Sequence, residues 1–268
     1  MKSVILRISF RVYACLMRTD SLHDLFCDIG EAVESGLDDL NDWGKADGHP
    51  GQYKHDVIAD AIAIPMLEGA GLGVISEESD PIGLDRPFIA VIDPIDGSTN
   101  ASLGLPWYAL SICVVSQEGA VLSYVRNLAT SVSYRAERGA GAERNDSKLS
   151  SSPVENVGDA IIVFNALPPH HLGWKQYRTM GSAALDLCCV ADGTFDGFVD
   201  FSSGLSIWDY AGAALICEEA GAKITTSTNE EIGFSSFRSD FTFRSRIIAS
   251  GSTALHDTLL KFGSAQDY

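Results

Sequence analysis

The sequence predicts an α+β fold of sheet layers covered by helices, arranged in two halves, and three observations carry that reading. Leu22, Leu25, Phe26, Ile29 and Val33 recur at the spacing of one helix face. Phe88-Ile89-Ala90-Val91-Ile92 is an apolar run of strand length, the pattern of a strand buried on both faces. From Gly139 to Pro153 the composition turns to Gly, Asn, Ser and charge, which separates residues 19–145 from residues 146–268, behind a lead of residues 1–18.

In chain order, the lead Met1 to Met17 is apolar but broken by Lys2, Arg7 and Arg11. It is too short and too charged to span a bilayer, and no small-residue cleavage signal follows. An extra strand, a disordered lead and a chain beginning at Met17 stay open for it, and it receives no function. The opening helix ends before Gly36, and the loop Gly44 to Gly51, rich in Gly, Asp and Lys, reads as mobile. A second helix covers Asp56 to Glu68, with Pro65 expected to kink or shorten it. Gly71 to Ser76 reads as a short strand running into Glu77-Glu78, and strands follow the buried run at Tyr108 to Val115, Ala120 to Asn127 and Ser131 to Ala136. The second half gives a strand at Ala160 to Phe164, a helix from Ser182 to Ala191 and a strand near Phe195 to Asp200. A helix from Tyr210 to Ala220 then stops at Gly221.

Charge and cysteine content narrow the function classes. A chain of 268 residues that is 46% hydrophobic can bury a core without disulfides. With 36 acidic against 19 basic residues, its net charge of −17 argues against nucleic acid and anionic membrane as partners, since no basic stripe exists to release counterions. Such a protein acting on an anionic phosphate needs a cation between them. The six cysteines, at 15, 27, 113, 188, 189 and 217, form no C-x-x-C pair and read as reduced thiols of a cytoplasmic protein.

The most informative segment is Asp93-Pro94-Ile95-Asp96-Gly97-Ser98-Thr99-Asn100. It follows directly on the buried strand, so Asp93 sits at a strand's carboxyl end, where open α/β sheets place ligands. Gly97 permits close approach of backbone to ligand, and Ser98-Thr99 can begin a short helix whose free N–H groups face an anion. One turn thus offers two carboxylates for metal and several amides for phosphate, although a capped strand-to-helix turn would also contain these residues. The spacing of Asp93 and Asp96 does not fit a calcium loop. Glu77 and Glu78 close another strand. Asp209 opens a helix in which Ala211, Gly212 and Ala213 permit close packing, and by itself it reads equally as a cap.

Ser76-Glu77-Glu78-Ser79, the Asp93 to Asn100 turn, Gly181-Ser182-Ala183-Ala184 and Trp208-Asp209-Tyr210-Ala211-Gly212-Ala213 resemble, in order and spacing, the signature segments of the inositol monophosphatase family. The resemblance runs from about Leu22 to Gly251, and Gly48-His49-Pro50 before Lys54-His55-Asp56 looks closest to the archaeal-type branch, whose members act on inositol monophosphate and fructose bisphosphate. It implies a layered α-β-α-β-α sandwich of two mixed-sheet halves and a homodimer sensitive to lithium. It also implies Mg²⁺, two or three ions per site, one held by Glu77, Asp93 and the carbonyl of Ile95, another by Asp93, Asp96 and Asp209. All-oxygen ligands suit magnesium rather than zinc. By the same resemblance Asp56 and Ser98, with Glu77, form the catalytic group that orients and deprotonates the attacking water. Ser98 stands where most relatives carry threonine.

Substrate contacts implied by the resemblance are Asp96, Gly97, Ser98, Arg178, Gly181, Ser182, Ala183 and Asp200. The archaeal-type branch often has an arginine just after that aspartate. Here Phe201 and Ser202 follow, which weakens the case for a bisphosphate. The expected activity is hydrolysis of a phosphate monoester of a small polyol or sugar, most readily inositol monophosphate. The alternatives are fructose 1,6-bisphosphate, histidinol phosphate, 3′-phosphoadenosine 5′-phosphate, and a silent protein that binds such a metabolite without turnover.

Overall fold

Two mixed sheets and three helical layers alternate in the computed structural model, which describes residues 19–47, 51–168, 170–233 and 241–263. The expectations for Met1 to Met17, Cys15 and Gly48-His49-Pro50 lie outside the described residues. The outer layer pairs α1 (Thr19–Asp38) with α2 (Lys54–Gly69). The first sheet follows, with β1 (Gly73–Ser76), β2 (Ile89–Asp96), β3 (Ala109–Ser116), β4 (Gly119–Asn127), β5 (Ser133–Glu137), β6 (Gly141–Arg144) and β7 (Ser147–Lys148) in sequential order. A five-residue helix, α3 (Ser98–Ser102), interrupts that run after β2. The middle layer holds α4 (Ala183–Ala191) and α5 (Ile207–Glu219). Beyond it lies the second sheet: β8 (Ile161–Phe164), β9 (Gln176–Arg178), β10 (Gly197–Val199), β11 (Lys223–Thr226) and β12 (Ile247–Ser250), in the order β11-β12-β10-β8-β9. The last helix, α6 (Thr253–Gly263), covers its far face.

Burial explains the layering. Along β2, Ala90 and Ile92 pack against Phe26, Ile29, Ala59 and Leu67 of α1 and α2. Ile89 and Val91 join the other core with α4 and α5. Every residue of β2 is buried, as the apolar run predicts for a strand covered on both sides. All nine residues of α4 are buried as well, which is how a helix held between two sheets must look.

Several boundaries differ from the sequence reading, each for a physical reason. The second helix passes Pro65 without being shortened and continues to Gly69, where Ile64 and Leu67 are buried. The helix carrying Asp209 begins at Ile207 rather than Tyr210. Its entry is set by Asp209 Oδ2, which accepts from the Ser206 amide at 2.7 Å, the return half of a capping box. The buried strand does not stop at Ile92 but runs on to Asp96 through a bulge. The glycine- and asparagine-rich stretch after Gly139 contains the hairpin β6–β7, turned by Asn145 and Asp146, both at positive φ.

Candidate active site

The parallel pair β1–β2 does the first positioning. Ser76 is in register with Ile92, so the next residue on each strand, Glu77 and Asp93, emerges at the same level, and Glu77 N–H donates to Ile92 O at 3.2 Å. The bulge does the second. Asp93 pairs with Ser111 and Asp96 with Ala109, so one extra residue on β2 opposes β3. In a regular strand, residues three apart face opposite sides. The extra residue brings Asp93 and Asp96 to the same face, and it accommodates Pro94, which cannot donate to a ladder. Helix α5 supplies a fourth carboxylate: a Cβ on Gly212 would lie 2.6 Å from Ser111 Oγ, so the glycine lets the helix sit directly on β3. Asp209, one turn earlier, thereby reaches the strand ends.

Ligand oxygens of Glu77, Asp93 and Asp209 lie within 4.8 Å of one another. Asp96 stands outside this group of three. Its Oδ2 accepts from Ser182 Oγ at 2.6 Å and from the Ala184 amide at 2.7 Å, which binds it to the entrance of α4. Glu77 is exposed and Asp93 buried, and the two are in hydrogen-bond contact. Although the Glu77 residue as a whole is exposed, neighbouring atoms crowd its carboxyl; that lost hydration, then the charges of Asp209 and Glu78, push it up to about 8. Burial and the charges of Glu77, Asp96 and Asp209 hold Asp93 well above the carboxylate range. Burial and Asp96 bring Asp209 to about 7. Burial takes Asp96 to about 6 against the opposing pull of its Ser182 and Ala184 hydrogen bonds.

Carboxylates gathered so closely repel unless protons or cations neutralise them. Hard oxygen donors at this spacing fit a divalent cation, so the donor set suits the metal that the sequence implies.

Beside this cluster stands a second arrangement. Ser98 Oγ donates to Asp56 Oδ1 at 2.7 Å and lies 2.8 Å from Ile95 O, one hydroxyl proton facing two acceptors. Asp56 is 2% exposed, and its Oδ2 accepts from the Tyr53 amide at 2.9 Å. Gly97, at φ 94°, precedes Ser98. A Cβ there would come within 2.9 Å of Trp107 O and 3.1 Å of Gly181 O, so the turn requires glycine.

The remaining expected residues are placed as follows. Gly181 adopts φ 88° beside Asn100, whose Nδ2 donates to Met180 O and Trp107 O, each at 2.8 Å. Ser182 caps α4 by accepting from Leu185 N at 3.3 Å, and Ala183 begins that helix. Asp200 is 1% exposed; Oδ1 accepts from the Ser202 amide at 2.7 Å, while Oδ2 is buried with no hydrogen-bond partner among the described residues. Arg178 lies exposed on β9, bonded to Tyr177 O and Gln176 Oε1 of its own strand. Lys45 donates to Gly51 O and sits 3.2 Å from the Tyr53 ring centroid. The sequence reading passed over Asn100 as a clamp and over His55, a buried imidazole beside Asp56. Asn100 stands within the motif and could have been noticed; a lone histidine at a helix start carries no such signal.

Residues 68–264 match the model of the inositol monophosphatase family. The chain is 36% identical over 220 residues to the fructose-1,6-bisphosphatase/inositol-1-monophosphatase of Archaeoglobus fulgidus, covering 80% of this chain and 84% of that protein. It is 36% identical over 167 residues to an inositol-1-monophosphatase of Rhizobium meliloti, covering 56% and 61%. Among solved structures, the extragenic suppressor from Pyrococcus furiosus superposes with TM-score 0.78 at 26% identity, over 90% of this chain and 99% of that one. The chain therefore belongs to the inositol monophosphatase family and is a phosphoric monoester hydrolase.

Proposed function

We propose that the chain hydrolyses inositol monophosphate with magnesium as cofactor, two or three ions per site. The observation that carries this reading is the convergence of Glu77, Asp93 and Asp209 within 4.8 Å, next to the Asp56–Ser98 pair. Those three carboxylates, with Asp96 and the carbonyl of Ile95, are the residues that would hold the ions. Bound there, magnesium supplies Lewis-acid stabilisation of the phosphoryl oxygens.

The chain's own groups divide the remaining work. Ser98 Oγ, whose proton faces Asp56, has lone pairs free to accept from water and so orients it. Asp56 is the acceptor for the proton released as the water oxygen bonds to phosphorus and the ester P–O bond breaks. The polyol oxygen leaves and takes a proton from solvent. Gly97, with Ser98, provides amides for the phosphate, and Asp96 with Ser182 and Ala183 fixes the wall from which Gly181 meets substrate. Asp200 Oδ2, buried and without a partner among the described residues, is an acceptor suited to a ring hydroxyl, since filling it removes a cost of about 1–3 kcal/mol. Arg178 is the cation available to a second substrate group once it leaves its strand neighbours.

The second reading is fructose 1,6-bisphosphate, because the Archaeoglobus relative's name carries both activities; Ser202 in place of an arginine favours the monophosphate. Action in the cytoplasm as a lithium-sensitive homodimer completes the proposal. Among the described residues no helix is long and apolar enough to cross a membrane.

Phosphate release from a panel of inositol monophosphate, fructose 1,6-bisphosphate, histidinol phosphate and 3′-phosphoadenosine 5′-phosphate tests it. Inositol monophosphate should give the highest kcat/KM with Mg²⁺ and none with excess chelator. Absence of turnover on every ester with Mg²⁺ present would leave a binding protein instead.

A further inference from the structure

His55 is the residue next to Asp56, and its ring is fully buried. Two aromatic rings pack near it, Tyr53 stacked at 5.0 Å and 20° and Trp43 tilted at 5.2 Å and 37°. Among the described residues neither ring nitrogen has a hydrogen bond of ordinary geometry. Yet Nε2 stands 3.4 Å from Asp56 Oδ1, the same oxygen that receives the Ser98 hydroxyl at 2.7 Å, and the ring also borders the Ser98 carbonyl. A buried polar atom without a partner costs about 1–3 kcal/mol. If the site needed only an aromatic filler beside Tyr53 and Trp43, phenylalanine would supply it without that cost.

We propose that His55 is a positioning residue for the water-activating pair: its Nε2–H draws Asp56 Oδ1 into line with the Ser98 hydroxyl. This inference rests on the assignment of Asp56 and Ser98 to the attacking water. Each carboxylate oxygen then has its own director, since Oδ2 is already held by the Tyr53 amide at 2.9 Å. The neighbouring Tyr53 and Trp43 rings limit how far the imidazole can swing, so Nε2 stays near Asp56 Oδ1 although the pair falls short of hydrogen-bond geometry here. Burial favours the neutral imidazole, with Asp56 opposing that shift. A neutral ring has one N–H, and the carboxylate is the stronger of the two acceptors it borders. Catalytic hydrogen bonds tighten in the transition-state complex, and a closure of about 0.5 Å with a turn of the N–H toward Oδ1 brings this contact to ordinary geometry. Holding the base to one direction matters because a misplacement of about 1 Å can cost about 10²-fold in rate.

The test compares His55→Phe, which keeps the aromatic stack, with His55→Gln, which keeps an N–H near Nε2, on inositol monophosphate with Mg²⁺. His55→Phe should lower kcat about 10- to 100-fold with KM within about twofold of the native value, and His55→Gln should recover most of it. Native kcat in His55→Phe, or equal losses in both variants, overturns the proposal. Ser98→Ala separates the two layers of the reading: full activity in that variant sinks the Asp56–Ser98 assignment itself. Loss in Ser98→Ala alongside native kcat in His55→Phe sinks only the role of His55. Should both His55 variants fail to fold, nitrogen-15 spectra of the native imidazole decide. A proton on Nε2 whose signal moves in Asp56→Asn supports the proposal; a proton on Nδ1, or no response, overturns it.

Discussion

Asp93 is the residue on which both the chemistry and its cost concentrate. It is buried, in hydrogen-bond contact with Glu77, and its carboxyl is pushed well above the usual range by burial and by three neighbouring acids. Asp93→Asn keeps the shape while removing the charge. Turnover of inositol monophosphate is expected to vanish, and in chelator the melting temperature is expected to fall less than that of the native protein as pH rises toward 8, because asparagine has no proton to lose among the repelling acids. Native activity in this variant would undo the assignment of Asp93 as a ligand. Glu77, Asp93 and Asp209 were legible because each follows an apolar strand run or opens a helix in a motif of fixed spacing. The tie of Asp96 to Ser182 and Ala184 was not, because it joins positions 86 and 88 residues apart in sequence.

At the scale of the element, local sequence specified the cores of strands and helices well and their ends less well. The apolar run Phe88 to Ile92 identified a strand buried on both faces, but not its continuation through Asp93-Pro94-Ile95-Asp96, since proline argues against a strand unless a bulge absorbs it. The helix carrying Asp209 was read three residues short because Ser206 and Asp209 form a capping pair that apolar periodicity does not show. Asp56 is held likewise, one oxygen on the Tyr53 amide. Both acids therefore hold a helix start while standing in the proposed site, so for Asp209 the readings as cap and as functional group are compatible. The Gly97 turn gives the element-level prediction. Gly97→Ala meets both a left-handed backbone and the Trp107 carbonyl. Unfolding in urea should show a loss of at least about 1–2 kcal/mol, with kcat reduced because Ser98 shifts with its turn. An unchanged midpoint would mean that the turn relaxes freely.

For the molecule as a whole, the acidic cluster couples stability to pH and to cations. Glu77 at about 8, Asp209 at about 7 and Asp96 at about 6 hold protons in the folded state that an unfolded carboxyl, near ~4, has already released. The native state binds more protons than the unfolded one between those limits, so stability is lost as pH rises through them. Thermal melts in chelator should therefore fall from about pH 5 to about pH 8. Mg²⁺ should raise the melting temperature more at the upper end, where it replaces protons that have left. A melt indifferent to pH in chelator would show that the carboxylates do not feel one another.

The bulge in β2 also sets what kind of change the site can absorb. Side chains between Asp93 and Asp96 can be exchanged for others while the two acids still look toward α4 and α5. Removing a single position there would rotate Asp96 to the side of α1 and α2, with both acids present and only one in reach. Spacing, as well as residue identity, is what this stretch must preserve: an alignment gap between those positions would signal that the proposed pair is broken even where both aspartates remain.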